Sequence, residues 1–150
     1  MKSQDPNQEH LQSIINLYTE GQLQQALSES SQMLERFPNS VILYNIAGAS
    51  NAALMQFDAA IESYKQALRI KPDYAEGHSN LGAALQLLNQ TEQALASYEK
   101  AISLKKDLNT AISGLGMALL KKGEHSEGLD KLRQGDGSIL FNIKSGLSIK

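Results

Sequence analysis

The chain has 150 residues, 41% of them hydrophobic, and a formal net charge of -2. This length allows one domain, the charge argues against a basic nucleic-acid footprint, and the absence of cysteine excludes disulfides and thiolate metal sites. Residues 1–10 are polar and lack the apolar core of a secretory signal. No apolar run approaches the roughly 18 residues a spanning helix needs, so a soluble cytoplasmic protein is expected.

Asp5-Pro6 is predicted to open the first helix, with Gln8 completing a capping box. That helix runs to about Glu20 on Leu11, Ile14, Ile15, Leu17 and Tyr18, and Gly21 breaks it. Its partner is predicted over Leu23–Arg36, ending at Phe37-Pro38-Asn39 because proline disfavours helix in the residue before it. A second pair follows at about Val41–Leu54 and Phe57–Ile70. The third is at about Ala75–Leu88 and Glu92–Leu104, with Thr91 as its cap. The Asn89-Gln90-Thr91 tripeptide is read as an inter-helix turn rather than a glycosylation acceptor. The fourth pair is predicted at about Thr110–Lys121 and Ser126–Gln134, and Gln134-Gly135-Asp136-Gly137-Ser138 is a breaker cluster. Beyond it Ile139, Phe141 and Ile143 alternate with other residues, and Ser145-Gly146 suits a tight turn, so a short β-hairpin or extended arm is expected.

One spacing organises these pairs. Tyr44, Ala47-Gly48, Ala60, Tyr64, Ala67 and Pro72 recur 34 residues later as His78, Leu81-Gly82, Ala94, Tyr98, Ala101 and Lys106. A further shift gives Ile112, Leu115-Gly116, Gly128, Leu132 and Gly135, and a shift back gives His10, Ser13-Ile14, Ala26, Ser30, Met33 and Pro38. A period of this length means one supersecondary unit stacked four times. The order aromatic, Leu-Gly, Ala-x-x-x-aromatic, Pro resembles the tetratricopeptide repeat (TPR), over about residues 7–140. The first copy lacks the Leu-Gly pair and the aromatic after Ala26, and the fourth has Gly128 and Gly135 and no proline, as suits end repeats. The resemblance implies an all-α, right-handed superhelical solenoid forming a single domain over 1–150, with repeats at about 7–40, 41–74, 75–108 and 109–137 and a tail at 138–150.

The candidates for chemistry are few. His10, His78 and His125 are the only histidines; two of them fall at the aromatic position of the repeat and read as packing imidazoles, and no metal-binding spacing exists. Gly48-Ala49-Ser50-Asn51-Ala52 superficially resembles a nucleophile elbow, but it falls inside a helix rather than on a strand-to-helix turn. Lys105-Lys106 and Lys121-Lys122 suit helix C-termini. No catalysis, cofactor or metal is expected.

The resemblance implies a concave surface lined by the first helix of each pair. Its stripe takes the second, fifth, ninth and twelfth residues of each such helix. The peptide-binding candidates are Leu11, Ile15, Asn45, Ala49, Ala52, Ser79, Ala83, Gln86, Ser113, Met117 and Leu120, with Asn80 beside them. Small residues admit a backbone, and the amides of Asn45 and Asn80 match a peptide unit whatever its side chain. The cations of the chaperone-clamping class are absent from the stripe. The expected function is a non-enzymatic module binding a protein or peptide, with no nucleic acid or membrane partner. The alternatives are a homo-oligomeric adaptor acting through residues 138–150, or an accessory region of a larger enzyme such as a glycosyltransferase. For the tail itself, a folded-back cap, strand pairing with another copy and the start of a downstream domain stand side by side.

Overall fold

The computed structural model describes residues 3–136, 139–142 and 146–149. Eight helices follow one another: α1 (Gln8–Thr19), α2 (Leu23–Arg36), α3 (Val41–Ala53), α4 (Phe57–Ile70), α5 (Ala75–Leu87), α6 (Thr91–Leu104), α7 (Asn109–Lys122) and α8 (His125–Asp136). Two four-residue strands, β1 (Ile139–Asn142) and β2 (Gly146–Ile149), pair antiparallel with Ile139 opposite Ile149. Gly137 and Ser138 of the expected breaker, Ile143, and Ser145 of the expected turn lie outside the described residues.

The 34-residue period is written into the backbone. Gly21, Met55, Asn89 and Gly123 all carry positive φ, at 80°, 61°, 61° and 96°. After each, an N–H reaches back five residues: Gln22 to the Leu17 carbonyl (2.8 Å), Gln56 to Asn51 (2.8 Å), Gln90 to Leu85 (3.0 Å) and Glu124 to Leu119 (2.9 Å). This is the left-handed helix end that satisfies carbonyls otherwise left orphaned. The tight turn starts the second helix of each pair at once, without a side-chain cap on α2, α4 or α6. Thr91 is therefore the first residue of α6 rather than its cap.

Methionine has no reason of its own to stand at φ 61°, where a side chain costs roughly 1–2 kcal/mol. Glycine there loses about 0.5–1 kcal/mol more chain entropy on folding. Met55→Gly is expected to stabilise the fold by about 0.5–1 kcal/mol, read as a higher urea midpoint at unchanged slope. A lower midpoint would mean that the Met55 side chain contributes packing despite its exposure.

At the N-terminus the expected cap moves. Asn7 accepts from the His10 N–H (2.9 Å) and starts α1, so Asp5-Pro6 stands outside the helix. Asp5 instead accepts from the hydroxyl of Ser40 (2.5 Å), which itself caps α3 by accepting from the Leu43 N–H (3.3 Å). Pro6 is buried, and the Gln4 amide donates to the Asn39 carbonyl (2.6 Å), so residues 3–6 strap the first inter-repeat loop.

Small residues set the pair geometry. Ala26, Ala60 and Ala94 are fully buried. A Cβ added to Gly48 would meet the Tyr64 ring at 2.5 Å, and one at Gly82 would meet Tyr98 at 2.9 Å. The main core runs through α4 to α7 on Ile61, Tyr64, Leu81, Leu85, Leu95, Tyr98, Leu115 and Leu119. A second, smaller core holds Ile14, Leu43 and Ile46. The division follows from Ser30, which occupies the register position of Tyr64 and Tyr98 and turns its hydroxyl back onto the Ala26 carbonyl (2.7 Å). With no aromatic at this position, the first repeat meets the second around Ile14, Leu43 and Ile46, with Met33, Leu34 and Phe37 packed against them.

The last helix runs two residues past its predicted end, because Gly135 does not break it. A Cβ at Gly135 would overlap the Ser113 hydroxyl and approach the Asn109 carbonyl at 3.1 Å, so the glycine serves close approach of α8 to α7.

Candidate functional site

Successive first helices touch: α1 with α3, α3 with α5, and α5 with α7. Among the described residues no such contact joins successive second helices. Helices α1, α3, α5 and α7 therefore form the more closely packed side of the array, its inner face.

The predicted stripe divides along this surface. Leu11 and Ile15 pack on the Ile14–Leu43–Ile46 core, and Ala52 packs on the main one. They lie on the 34-residue period and are partly consumed by packing. Ser113 points toward α8, where its hydroxyl lies against Gly135. Ser79 is buried, with its hydroxyl 3.4 Å from that of Thr110. Ala49 and Leu120 are half-buried.

Two features remain on the inner face. Across the α3–α5 gap the Asn80 amide donates to the Asn45 amide oxygen (2.8 Å). Each amide has unused donor or acceptor capacity after that bond, and each holds the other in place. Across the α5–α7 gap lies a depression of about 440 Å³, lined by Ala83, Gln86 and Leu87 from α5, Gly114, Met117 and Lys121 from α7, and Tyr98 from α6. Tyr98 is 3% exposed. It threads between Gly82 and Gly114, and a Cβ at either would collide with its ring. Its hydroxyl donates to Gln86 Oε1 (2.9 Å), leaving the Gln86 amide nitrogen to donate elsewhere. Burial pushes the phenol up to about 12, so it is a neutral donor at ordinary pH.

Leu87 and Lys121 belong to this depression but not to the predicted stripe. They lie four residues beyond Ala83 and Met117, and the continuation at i+4 on one helix face was the signal for them. Glu76, by contrast, is drawn to the rim. It pairs with Lys105 (3.0 Å), and a backbone N–H at the start of α5 together with that ammonium holds its carboxyl below the usual range. A further depression of about 480 Å³ lies at the edge of the array, among Gln4, Asp5, Ile42, Ile70, Lys71 and Tyr74.

The histidines do not pack as the sequence suggested. His10 is exposed. His78 is half-buried and hydrogen-bonds the Pro72 carbonyl through Nε2 (2.9 Å). Ser50 is fully buried inside α3 without a hydrogen-bond partner, so no base adjoins it. Among the described residues no group of three or more His, Asp or Glu converges as a metal ion would require, and no helix is long and apolar enough to cross a membrane.

Two repeat-family models match the chain: a TPR repeat over residues 53–89 and a tetratricopeptide repeat over residues 75–108. No curated protein sequence matches it. Among solved structures it is similar to MamA (TM-score 0.77, 23% identity, covering 84% of this chain and 74% of that one). It is also similar to TTC0263, a thermophilic TPR protein of Thermus thermophilus (TM-score 0.77, 21% identity, covering 90% and 75%). A third likeness is to YrrB, described as a TPR protein with an unusual peptide-binding site (TM-score 0.71, 23% identity, covering 85% and 66%). At these identities the likeness is one of fold.

Proposed function

Given that this chain is a tetratricopeptide-repeat protein, we propose that its four repeats form one domain over residues 1–150, wound as a right-handed superhelix, that binds a peptide segment of a partner protein along the inner face. The observation that carries this reading is the Asn45–Asn80 pair. Two half-buried amides, fixed by each other, present unused donors and acceptors on the inner face. Holding them in advance lowers the ordering cost of binding. Each hydrogen bond to a peptide unit contributes about 0.5–1.5 kcal/mol net, so several must act together with an apolar anchor. YrrB supports the reading as a similar fold that carries a peptide site, though the chemistry here rests on this chain's own residues. The module acts by binding, without catalysis.

The test is affinity capture from the source cell's lysate, comparing the chain with an Asn45→Ala/Asn80→Ala double variant shown by circular dichroism to be folded. The expected result is a partner retained by the first and depleted at least tenfold with the second. A partner held equally by both would move binding off these amides. Capture of further copies of the chain alone would favour self-assembly.

A further inference from the structure

We propose that the depression between α5 and α7 is a specificity pocket for an aliphatic or methionine side chain of the bound peptide, flanked by an aspartate or glutamate that pairs with Lys121. This rests on the inner-face reading above and adds which peptide is chosen. The apolar part of the argument comes from exposure. Leu87 is 57% exposed and Met117 44% exposed, and both line this one depression. Adjoining exposed apolar side chains mark interaction sites, and methionine adapts to differently shaped partners.

The repeat register extends the patch. Lys121 and Asn89 are hydrogen-bonded across adjacent repeats, and one repeat earlier the same two positions hold Leu87 and Met55. Met55 is 75% exposed and sits in the left-handed backbone region that glycine fills in the first and last repeats. Retaining an exposed, strained methionine there fits a contact surface better than a stable turn.

The charge part is equally local. Lys122, its neighbour, is taken by Glu92 (3.3 Å) and Glu124 (3.4 Å). Among the described residues Lys121 bonds the neutral Asn89 amide, and no carboxylate lies within ion-pair distance of it. It is the single charged residue lining the depression. A carboxylate set beside the apolar anchor complements it, and such pairing fixes register and excludes basic competitors.

Gly114 is what opens the pocket. The same position one repeat earlier is Asn80, whose side chain spans the gap to Asn45. Gly114 has nothing to span with, so the Tyr98 ring and the Gln86 amide form the floor instead. The inner face thus carries a backbone-reading element between α3 and α5, and a side-chain-reading element between α5 and α7.

The experiment is selection of displayed random dodecapeptides on the full chain, on Met117→Lys, on Lys121→Glu and on Asn45→Ala/Asn80→Ala, each checked for an unchanged melting curve. The expected wild-type winners carry a Leu, Ile or Met with Asp or Glu within a few residues. Their synthetic versions lose at least tenfold in affinity on Met117→Lys, and Lys121→Glu selects Lys or Arg at the flanking position. That charge reversal is a readout that a merely structural lysine would not produce. If the winners weaken on the asparagine variant but bind both pocket variants unchanged, the pocket proposal fails while the inner-face reading stands. If no peptide is enriched on the wild-type chain, the inner-face reading fails and takes the pocket with it.

Discussion

Tyr98→Ala is expected to remove about 3–5 kcal/mol of stability, the usual cost of truncating a buried aromatic. The residue ties together three helices: it belongs to α6, passes over Gly82 of α5 and meets Gly114 of α7. Its removal opens a void across a repeat boundary, and in a stacked array the nearest-neighbour interface carries much of the stability. Urea unfolding followed by far-ultraviolet circular dichroism measures the loss. Tyr98→Phe keeps the ring and deletes only the bond to Gln86, so about 0.5–1.5 kcal/mol is expected. A Tyr98→Ala protein within about 1 kcal/mol of the parent would show that α5 and α7 close over the gap. The hydroxyl also predicts a pH dependence. Its pKa rises from 10.0 to about 12 on folding because burial disfavours the phenolate. The stability linked to the protonated phenol is therefore complete below pH about 10 and is lost as pH climbs through about 12. Tyr64 is raised in the same direction, by burial first and then by Tyr18 and Tyr74. Tyr98→Phe should flatten, without abolishing, the fall in stability above pH 10.

The same residue shows what is legible in a repeat sequence. Tyr64 and Tyr98, Ala60 and Ala94, Gly48 and Gly82 recur at one spacing, and their roles are visible because each copy repeats them. Helices α2 and α4 begin and end where turn chemistry places them. Errors fall where a local rule meets tertiary contact. Gly135 reads as a breaker, yet α8 continues through it because α7 needs the space. Asp5 reads as a cap, yet its carboxylate is taken by Ser40, the cap of α3. The inner face is half-legible for the same reason. Periodicity places Ala83, Gln86 and Met117 together. It cannot show that Leu11 and Ile15 are drawn into the smaller core, or that Asn80 bonds to Asn45.

The crossing of α7 and α8 gives the second large effect. A Cβ on Gly116 would stand 2.8 Å from the Gly128 carbonyl and 2.9 Å from the Leu132 nitrogen, and one on Gly128 would stand 2.9 Å from the Gly116 carbonyl. In the second and third repeats the glycine faces a tyrosine ring, which can tilt. Here it faces backbone, which moves only if the helices part. Gly116→Ala gains up to about 1 kcal/mol of helix propensity against an overpacking cost of about 1–3 kcal/mol, so a net loss is expected. Gly116→Leu gains no more and displaces far more, so a cost above about 3 kcal/mol follows. Because each repeat contacts only its neighbours, the damage should stay at the end of the array. Amide hydrogen exchange would then show α8 unprotected while α3 to α6 keep parental protection. Uniform loss of protection along the chain would instead mean that the last pair is required for the others to fold. The notch that lets α8 approach α7 would then hold the whole stack together.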